Sequence, residues 1–498
     1  MNVNPITRLD YPDLDVIRVE DTYYMVSTTM HFMPGCEILQ SFDLVHWEHV
    51  TYVYETLDHT DAQQLKSGHN IYGQGMWAAS LRYHEGRFYI CFVANDTRKT
   101  YLYTSEKIDG PWKKQLIEGF YHDGSLLFDE DGRNYIVYGN DEIWITELNE
   151  DLTAPKKDGL HRLLVSDHKN PELGYEGSHI QKINGYYYIF LIHSLRDRWM
   201  RTEACFYSDS LEGEFTGGDV LCDDRGYCGQ GVAQGGIVDT PDGKWYAMLF
   251  QDSGAVGRLP ILLPVTWKDH FPVFGQNGHV PEEIEVHSTR PGYIYQPLVG
   301  SDDFCNGLLP RWQFNHDPDP RYYHLDALQG TYTITTREVC TELTQAVNTL
   351  TQRMSYPSCA AEVTVDASAL KEGDVAGLCA FQGCYAAVGI TKHHGKYEVL
   401  MLDKKEDGIL DMTEGTVVES HQMDFRLEAD FCNMKDEARC YYRVNKGDWL
   451  PIGTVHKLYF KLDHFTGCRF GLFCYAAEET GGSACFRDFK YYDVDEIS

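Results

Sequence analysis

Five times in the first 300 residues the chain repeats one pattern: an acidic or asparagine turn, usually with glycine, then aromatic residues opening an apolar run. The copies are EDTYYMVS (20–27), HEGRFYICF (84–92), DEDGRNYIVY (129–138), INGYYYIFL (183–191) and PDGKWYAMLF (241–250). Asp-Gly, Glu-Gly and Asn-Gly pairs favour tight hairpin turns, and tyrosine, phenylalanine, isoleucine and valine suit strands. Aligned on Tyr24, Tyr89, Tyr135, Tyr188 and Tyr246, successive copies are 65, 46, 53 and 58 residues apart. That period suits a four-stranded propeller blade with loops of varying length. Further strands with turns follow, as in ILQSFDLVHW (38–47), YLYTSEKIDGPW (101–112) and CFYSDSLEGEF (205–215), and no long amphipathic helix interrupts them. The pattern predicts an all-β chain whose residues 1–290 form a five-bladed β-propeller.

Stepping back along each repeat brings out the chemistry. Twelve residues before the aligned tyrosine stand Trp77, Asp123, Glu176 and Gln234; in the first blade, whose turn is one residue shorter, Asp13 stands eleven back. These five share one position, expected on the first strand of each blade, which lines the central channel. Small residues, Ala78, Gly124, Gly177 and Gly235, follow several of them and allow close backbone approach at a crowded axis. Asp13, Asp123 and Glu176 therefore predict carboxylates converging at a channel mouth. Like charges in a confined site raise at least one pKa and leave one carboxyl protonated near neutrality. A protonated acid facing an ionised base is what cleavage of a glycosidic bond requires. Asp15, Asp129 and Asp131 flank the strands and read as solvated turn or capping residues.

The remainder of the chain changes period. Residues 276–304 carry glycine, proline and polar residues with few clear strands, which places the linker at 291–300. Residues 301–498 then read as short alternating strands: GTYTITT (330–336), CAAEVTVDA (359–367), AGLCAFQ (376–382), AAVGITK (386–392), KYEVLML (396–402), KLYFKLD (457–463) and CRFGLFCYA (468–476). Many short strands with regular turns predict a β-sandwich.

Composition narrows the partners. Lys and Arg number 43 against 75 Asp and Glu, a net charge of −32, which argues against nucleic acid and anionic membranes. No apolar run approaches the roughly 18 residues of a membrane-spanning helix, and the start, MNVNPITRLDYPDLD, shows neither the basic nor the apolar region of a signal peptide. The 15 cysteines are odd in number, scattered from Cys36 to Cys485, and include no CxxC pair. Free buried thiols in a reducing cytoplasm are the expected state. Aromatic residues make up 13% of the chain, suited to a β-core or to stacking on sugar rings.

At these residues the chain resembles the family 43 glycoside hydrolases, especially their β-xylosidase branch. YPDLDVIRVEDTYYMVSTT (11–29) with FMPG (32–35) resembles the family's first-blade motif, GMWAASLRY (75–83) the second, HDGSLLFDEDG (122–132) the third and YEGSHIQKINGYYY (175–188) the fourth. GRLPILLPVTW (257–267) resembles the stretch that supplies a substrate-binding arginine, and DDFCNGLLPRWQFNHDPDP (302–320) the start of a lectin-like sandwich domain. The resemblance implies a five-bladed propeller, independently of the repeat count. It implies that Asp13 is the general base that activates water, Glu176 the general acid, and Asp123 the third carboxylate, which orients the acid and adjusts its pKa. It also implies inversion at the anomeric carbon, with base and acid about 6.5–9.5 Å apart. Arg258 would bind sugar hydroxyls, Trp77 would wall the sugar, and Met30 and Phe32 would be apolar pocket residues. Many members carry a histidine at the fifth channel position, near a central cation or water; here Gln234 stands there. An amide oxygen can still ligate Ca²⁺, directly or through water, so an axial calcium ion held by Gln234 is an expectation to be examined. His31, His122 and His179 lie near the motifs without ligand spacing.

The function this implies is an inverting, exo-acting β-1,4-xylosidase that releases xylose from short xylo-oligosaccharides in the cytoplasm. The rival on the same fold is an α-L-arabinofuranosidase or an enzyme with both activities, because these sugars present similar hydroxyls. A non-catalytic sugar-binding propeller is opposed by the three carboxylates. The sandwich would stabilise the propeller, or lend a loop that closes the pocket and favours chain ends. Assembly into a homo-oligomer is compatible with all of this.

Overall fold

A computed structural model describes residues 2–461 and 466–493. Five four-stranded antiparallel sheets occupy the first part. They begin with strands Asp15–Val19, Met76–His84, Ser125–Phe128, Glu176–Ile183 and Val232–Asp239 and end with Glu48–Tyr54, Lys113–Ile117, His161–Ser166, Thr216–Leu221 and Phe271–Phe274. These are the five blades the repeat predicts. The inner two or three strands of each blade are buried on both faces, which explains why they read as apolar runs instead of strict alternation.

Each core cluster of the propeller lies between two blades. Val26 and Ile38 of blade 1 meet Leu81, Ile90 and Phe92 of blade 2. Cys91 and Leu102 meet Leu126 and Ile136 of blade 3. Tyr135 and Val137 meet Ile180 and Ile189 of blade 4, and Tyr188 and Phe190 meet Ala247 and Leu249 of blade 5. The ring closes where Val238, Tyr246 and Met248 pack on Val16, Tyr23 and Met25. An Arg18–Asp239 ion pair joins the same two blades, and Asn2–Val3 pairs with Glu283–Ile284 beyond blade 5. The aligned tyrosines of blades 3, 4 and 5 are buried in these seams.

The second part is a sandwich of two antiparallel sheets. One has eight strands, with Arg469–Ala476 and Asp374–Phe381 at its centre; the other has seven, with Ser483–Asp493 and Ser358–Asp366 at its centre. One expected strand is not formed: Lys457 ends strand Leu450–Lys457, residues 458–461 are irregular, and the rest of KLYFKLD (457–463) lies outside the described residues. Among its described residues, Phe460 places its ring 5.8 Å from Cζ of Arg258 in blade 5.

That junction is built from buried polar contacts as well as apolar packing. Met33 and Phe314 exchange backbone hydrogen bonds of 3.1 and 2.7 Å. Arg353 of the sandwich pairs with Glu37 of blade 1 at 2.8 Å and lies over the ring of Tyr11. The Asp10 carboxylate accepts the backbone N–H of Arg258 at 2.7 Å and that of Gly467 at 2.8 Å, one from each part. Ala255, Val256 and Leu259 of blade 5 are packed into the sandwich core.

Candidate active site

The backbone breaks its regular course where the five repeat positions lie. Asp13 and Asp123 sit two residues ahead of the first strands of their blades, not on them, with φ of 51° and 48°. Trp77, Glu176 and Gln234 lie within theirs, at register shifts between Met76 and Ala79, Glu176 and His179, and Ala233 and Gly236. A bulge adds a residue and re-aims the neighbouring side chain, so the strand can bring a polar group to the channel mouth while its continuation stays in the core.

Asp13 is 5% exposed. Its Oδ2 accepts the Thr28 hydroxyl at 2.8 Å and its Oδ1 accepts Arg258 Nη1 at 2.5 Å. Arg258, 2% exposed, turns its Nε to Asp252 at 3.2 Å. Asp252 also pairs with Nε of Arg201 at 2.8 Å, so one carboxylate holds two buried guanidinium groups beside the base.

Asp123 and Glu176 form the other half. Asp123 Oδ2 accepts the backbone N–H of Gly177, the residue after Glu176, at 3.0 Å. Glu176 Oε2 accepts Asn140 Nδ2 at 2.7 Å. His122 Nε2 stands 3.5 Å from both Asp123 Oδ2 and Glu176 Oε2. Burial, with the negative charges of Glu176 and Asp13, raises the Asp123 carboxyl to about 6 against the pull of His122. For Glu176 burial works upward too, but His122, Arg201 and Arg258 outweigh it and the net direction is down. Of the two, Asp123 holds a proton more tightly than Glu176.

Trp77 is half-buried and meets His122 edge-on, with ring centroids 5.7 Å apart, so it walls the same space. Met30 and Phe32 are placed differently. Each is 1% exposed; Met30 is paired through its backbone to Met76, and the Phe32 ring carries the Arg469 guanidinium 3.4 Å from its centroid. Both lie in packed structure, Phe32 at the domain junction, where side chains fill space.

Gln234 is buried, with φ of 62°, and its backbone N–H donates to Glu203 at 2.7 Å. Burial holds the Glu203 carboxyl well above the usual range, hence neutral. Calcium takes six to eight oxygen ligands, mostly charged. Gln234 brings one amide oxygen, and Glu203 one carboxylate, toward that number. The side chain has a packing role: a Cβ on Gly177 would come within 2.8 Å of Gln234 Cδ.

Two further predictions from sequence are corrected. Asp15 and Asp129 are buried, not solvated. Asp15 is 1% exposed and bridges Arg82 at 2.8 Å and His179 at 3.1 Å; Asp129 is 4% exposed and accepts Lys182 and Tyr187 at 2.6 Å. Conversely, His122, Asn140, Arg201 and Asp252 belong to the site and were not singled out for it. Only His122 carried a signal, its place next to Asp123 in the third motif; the others come from second strands and from one third strand, outside the aligned position.

Comparison with known proteins agrees with this geometry. Residues 3–272 match the glycosyl hydrolases family 43, and residues 301–492 match the beta xylosidase C-terminal concanavalin A-like domain. A beta-xylosidase of Formosa agariphila is 27% identical over 99% of this chain and 89% of its own. A non-reducing end alpha-L-arabinofuranosidase of Bacteroides ovatus is 24% identical over 82% of this chain and 79% of its own. Among solved structures, a bifunctional GH43-CE protein of Bacteroides eggerthii superposes with a TM-score of 0.91 at 42% identity, covering 99% of this chain, which spans only 63% of that longer protein. With a family match extending over more than half of its length and all five blades in order, this chain belongs to glycoside hydrolase family 43.

Proposed function

We propose that the protein is an inverting, exo-acting β-1,4-xylosidase that releases xylose from xylo-oligosaccharides. The observation that carries this reading is the meeting at one channel mouth of a base held by an arginine, Asp13 with Arg258, and a second pair of acids, Asp123 and Glu176, on either side of His122. Asp13, held by Arg258 and the Thr28 hydroxyl, removes a proton from water on one face of the sugar. Glu176 delivers a proton to the leaving oxygen on the other. Asp123 stores the proton and, through the Gly177 N–H, fixes the backbone that carries Glu176. Arg258 and Trp77 hold and wall the sugar.

Exo action is supported by the sandwich. Phe460, from the segment after strand Leu450–Lys457, places its ring 5.8 Å from Cζ of Arg258. A channel mouth flanked by a second domain suits a chain end better than the middle of a polymer. The low arginine and lysine content of a chain with net charge −32 suits a neutral sugar substrate, without nucleic acid or membrane as partner. A cytoplasmic location, processing imported oligosaccharides, is part of the same proposal.

The arabinofuranosidase reading is kept because a relative named for that activity aligns over 82% of the chain. Nitrophenyl β-xyloside, nitrophenyl α-L-arabinofuranoside and xylobiose separate the two. Faster turnover of the xyloside with xylobiose cleaved supports the proposal; turnover of the arabinofuranoside alone replaces it, and turnover of none refutes catalysis. No required cofactor is part of this proposal.

A further inference from the structure

Among the described residues, His122 stands between Asp123 and Glu176. Its Nε2 is 3.5 Å from an oxygen of each. An N–H at this nitrogen attracts both carboxylates, and a full imidazolium charge attracts them more strongly. The ring is held in place: the His122 carbonyl accepts the Gly139 N–H at 3.0 Å, and the indole of Trp77 meets the imidazole at an interplanar angle of 68°.

We propose that His122 is the fixed cation that decides whether Asp123 or Glu176 carries the shared proton, and so sets the alkaline limit of the reaction without touching the sugar. This rests on the reading of Glu176 as the acid. The charged groups that face the histidine are Asp123 from its own turn, Glu176 from blade 4 and Asp13 from blade 1; blade 2 contributes the uncharged Trp77. Arg201 and Arg258 face Glu176 from blades 4 and 5, and blade 3 contributes the neutral Asn140. Burial alone would lower the imidazole, but the three carboxylates raise it to about 9. The cation therefore persists across the working range. Asn140 donates to Glu176 Oε2 and His122 Nε2 lies nearest the same oxygen, so Oε1 is the oxygen proposed to carry the proton toward a leaving group.

The sign of the effect follows. A cation this near favours the ionised carboxylate, so removing it lets Glu176 keep its proton to higher pH. In His122→Gln the alkaline limb of kcat/KM for xylobiose is expected to rise by about one pH unit or more. His122→Lys returns a cation and should bring the limb back toward that of the parent. A limb that stays in place while kcat falls would overturn the proposal, since a merely structural histidine lowers the rate without moving the profile. A second measurement needs no activity. Carbon-detected NMR of the histidine rings, with the His122 signal assigned by its loss in the glutamine variant, or in His122→Asn if glutamine does not fold, should show an imidazolium still at about pH 7.5, above the ordinary value near 6.5. Titration near the ordinary value would overturn the proposal even in an active enzyme. An imidazolium in a chain inert to xylosides and arabinofuranosides would support the charge assignment and overturn the glycosidase reading instead.

Discussion

Two carboxylates of one pocket, Asp123 and Glu176, are driven in opposite directions by their neighbours. Asp123 is nearly enclosed and faces two other acids, so it keeps its proton to about pH 6. Glu176 faces His122 and two arginines and gives its proton up more readily. The assignment of Glu176 as the acid predicts an unequal loss. Glu176→Gln should reduce xylobiose hydrolysis by about 10²–10⁴-fold, the usual worth of general acid catalysis, and spare a nitrophenyl xyloside, whose leaving group needs little protonation. Equal losses on both substrates would remove Glu176 from that role. Asp13, Asp123 and Glu176 were legible in the sequence because they occupy one position of a repeat. His122, Arg201 and Asp252 were not, because each enters from a different place in its blade and only the closed ring brings them together.

At the scale of the element, bulged first strands convert a repeat into a site. Gly177 has φ of 64° and lies against the Gln234 side chain, so both its conformation and its lack of a Cβ are used. Gly177→Ala should cost about 1–3 kcal/mol of stability and displace Glu176 from Asn140 and His122, lowering kcat/KM more than KM alone accounts for. Thermal melts and xylobiose kinetics check the two halves separately. Farther down the channel, first strands are tied by Asp15, which the Arg82 and His179 side chains and the Leu81 N–H hold at about 2 despite its burial. Its folded value is below the unfolded one, so its contribution is complete above the unfolded pKa near 3.9 and disappears as pH falls through about 2. That is about 2–3 kcal/mol for such a carboxylate. The parent should lose urea resistance steeply between about pH 4 and 2, and Asp15→Asn should start lower and lose less over that interval; parallel curves would contradict this. Sequence reading treated Asp15 as a turn acid because its partners lie in blades 2 and 4, beyond any local pattern.

For the whole molecule, the ring of blades fixes the distance between base and acid. Asp13 is carried by blade 1 and Glu176 by blade 4, with Arg258 from blade 5 anchoring the base and the sandwich pressed against that arginine. Blade number and domain order were readable from periodicity, since turns and apolar runs are local signals. The domain junction was not: Glu37, Arg353 and Asp10 look like any charged residues until the fold buries them together. The same architecture makes a stereochemical claim, because a base separated from the anomeric carbon by a water cannot form a covalent bond to it. Proton NMR of the first turnovers on a β-xyloside, read before mutarotation, tests this directly. A base acting through water predicts α-xylose as the initial product; β-xylose appearing first would show a double displacement and contradict the account of Asp13 and Glu176.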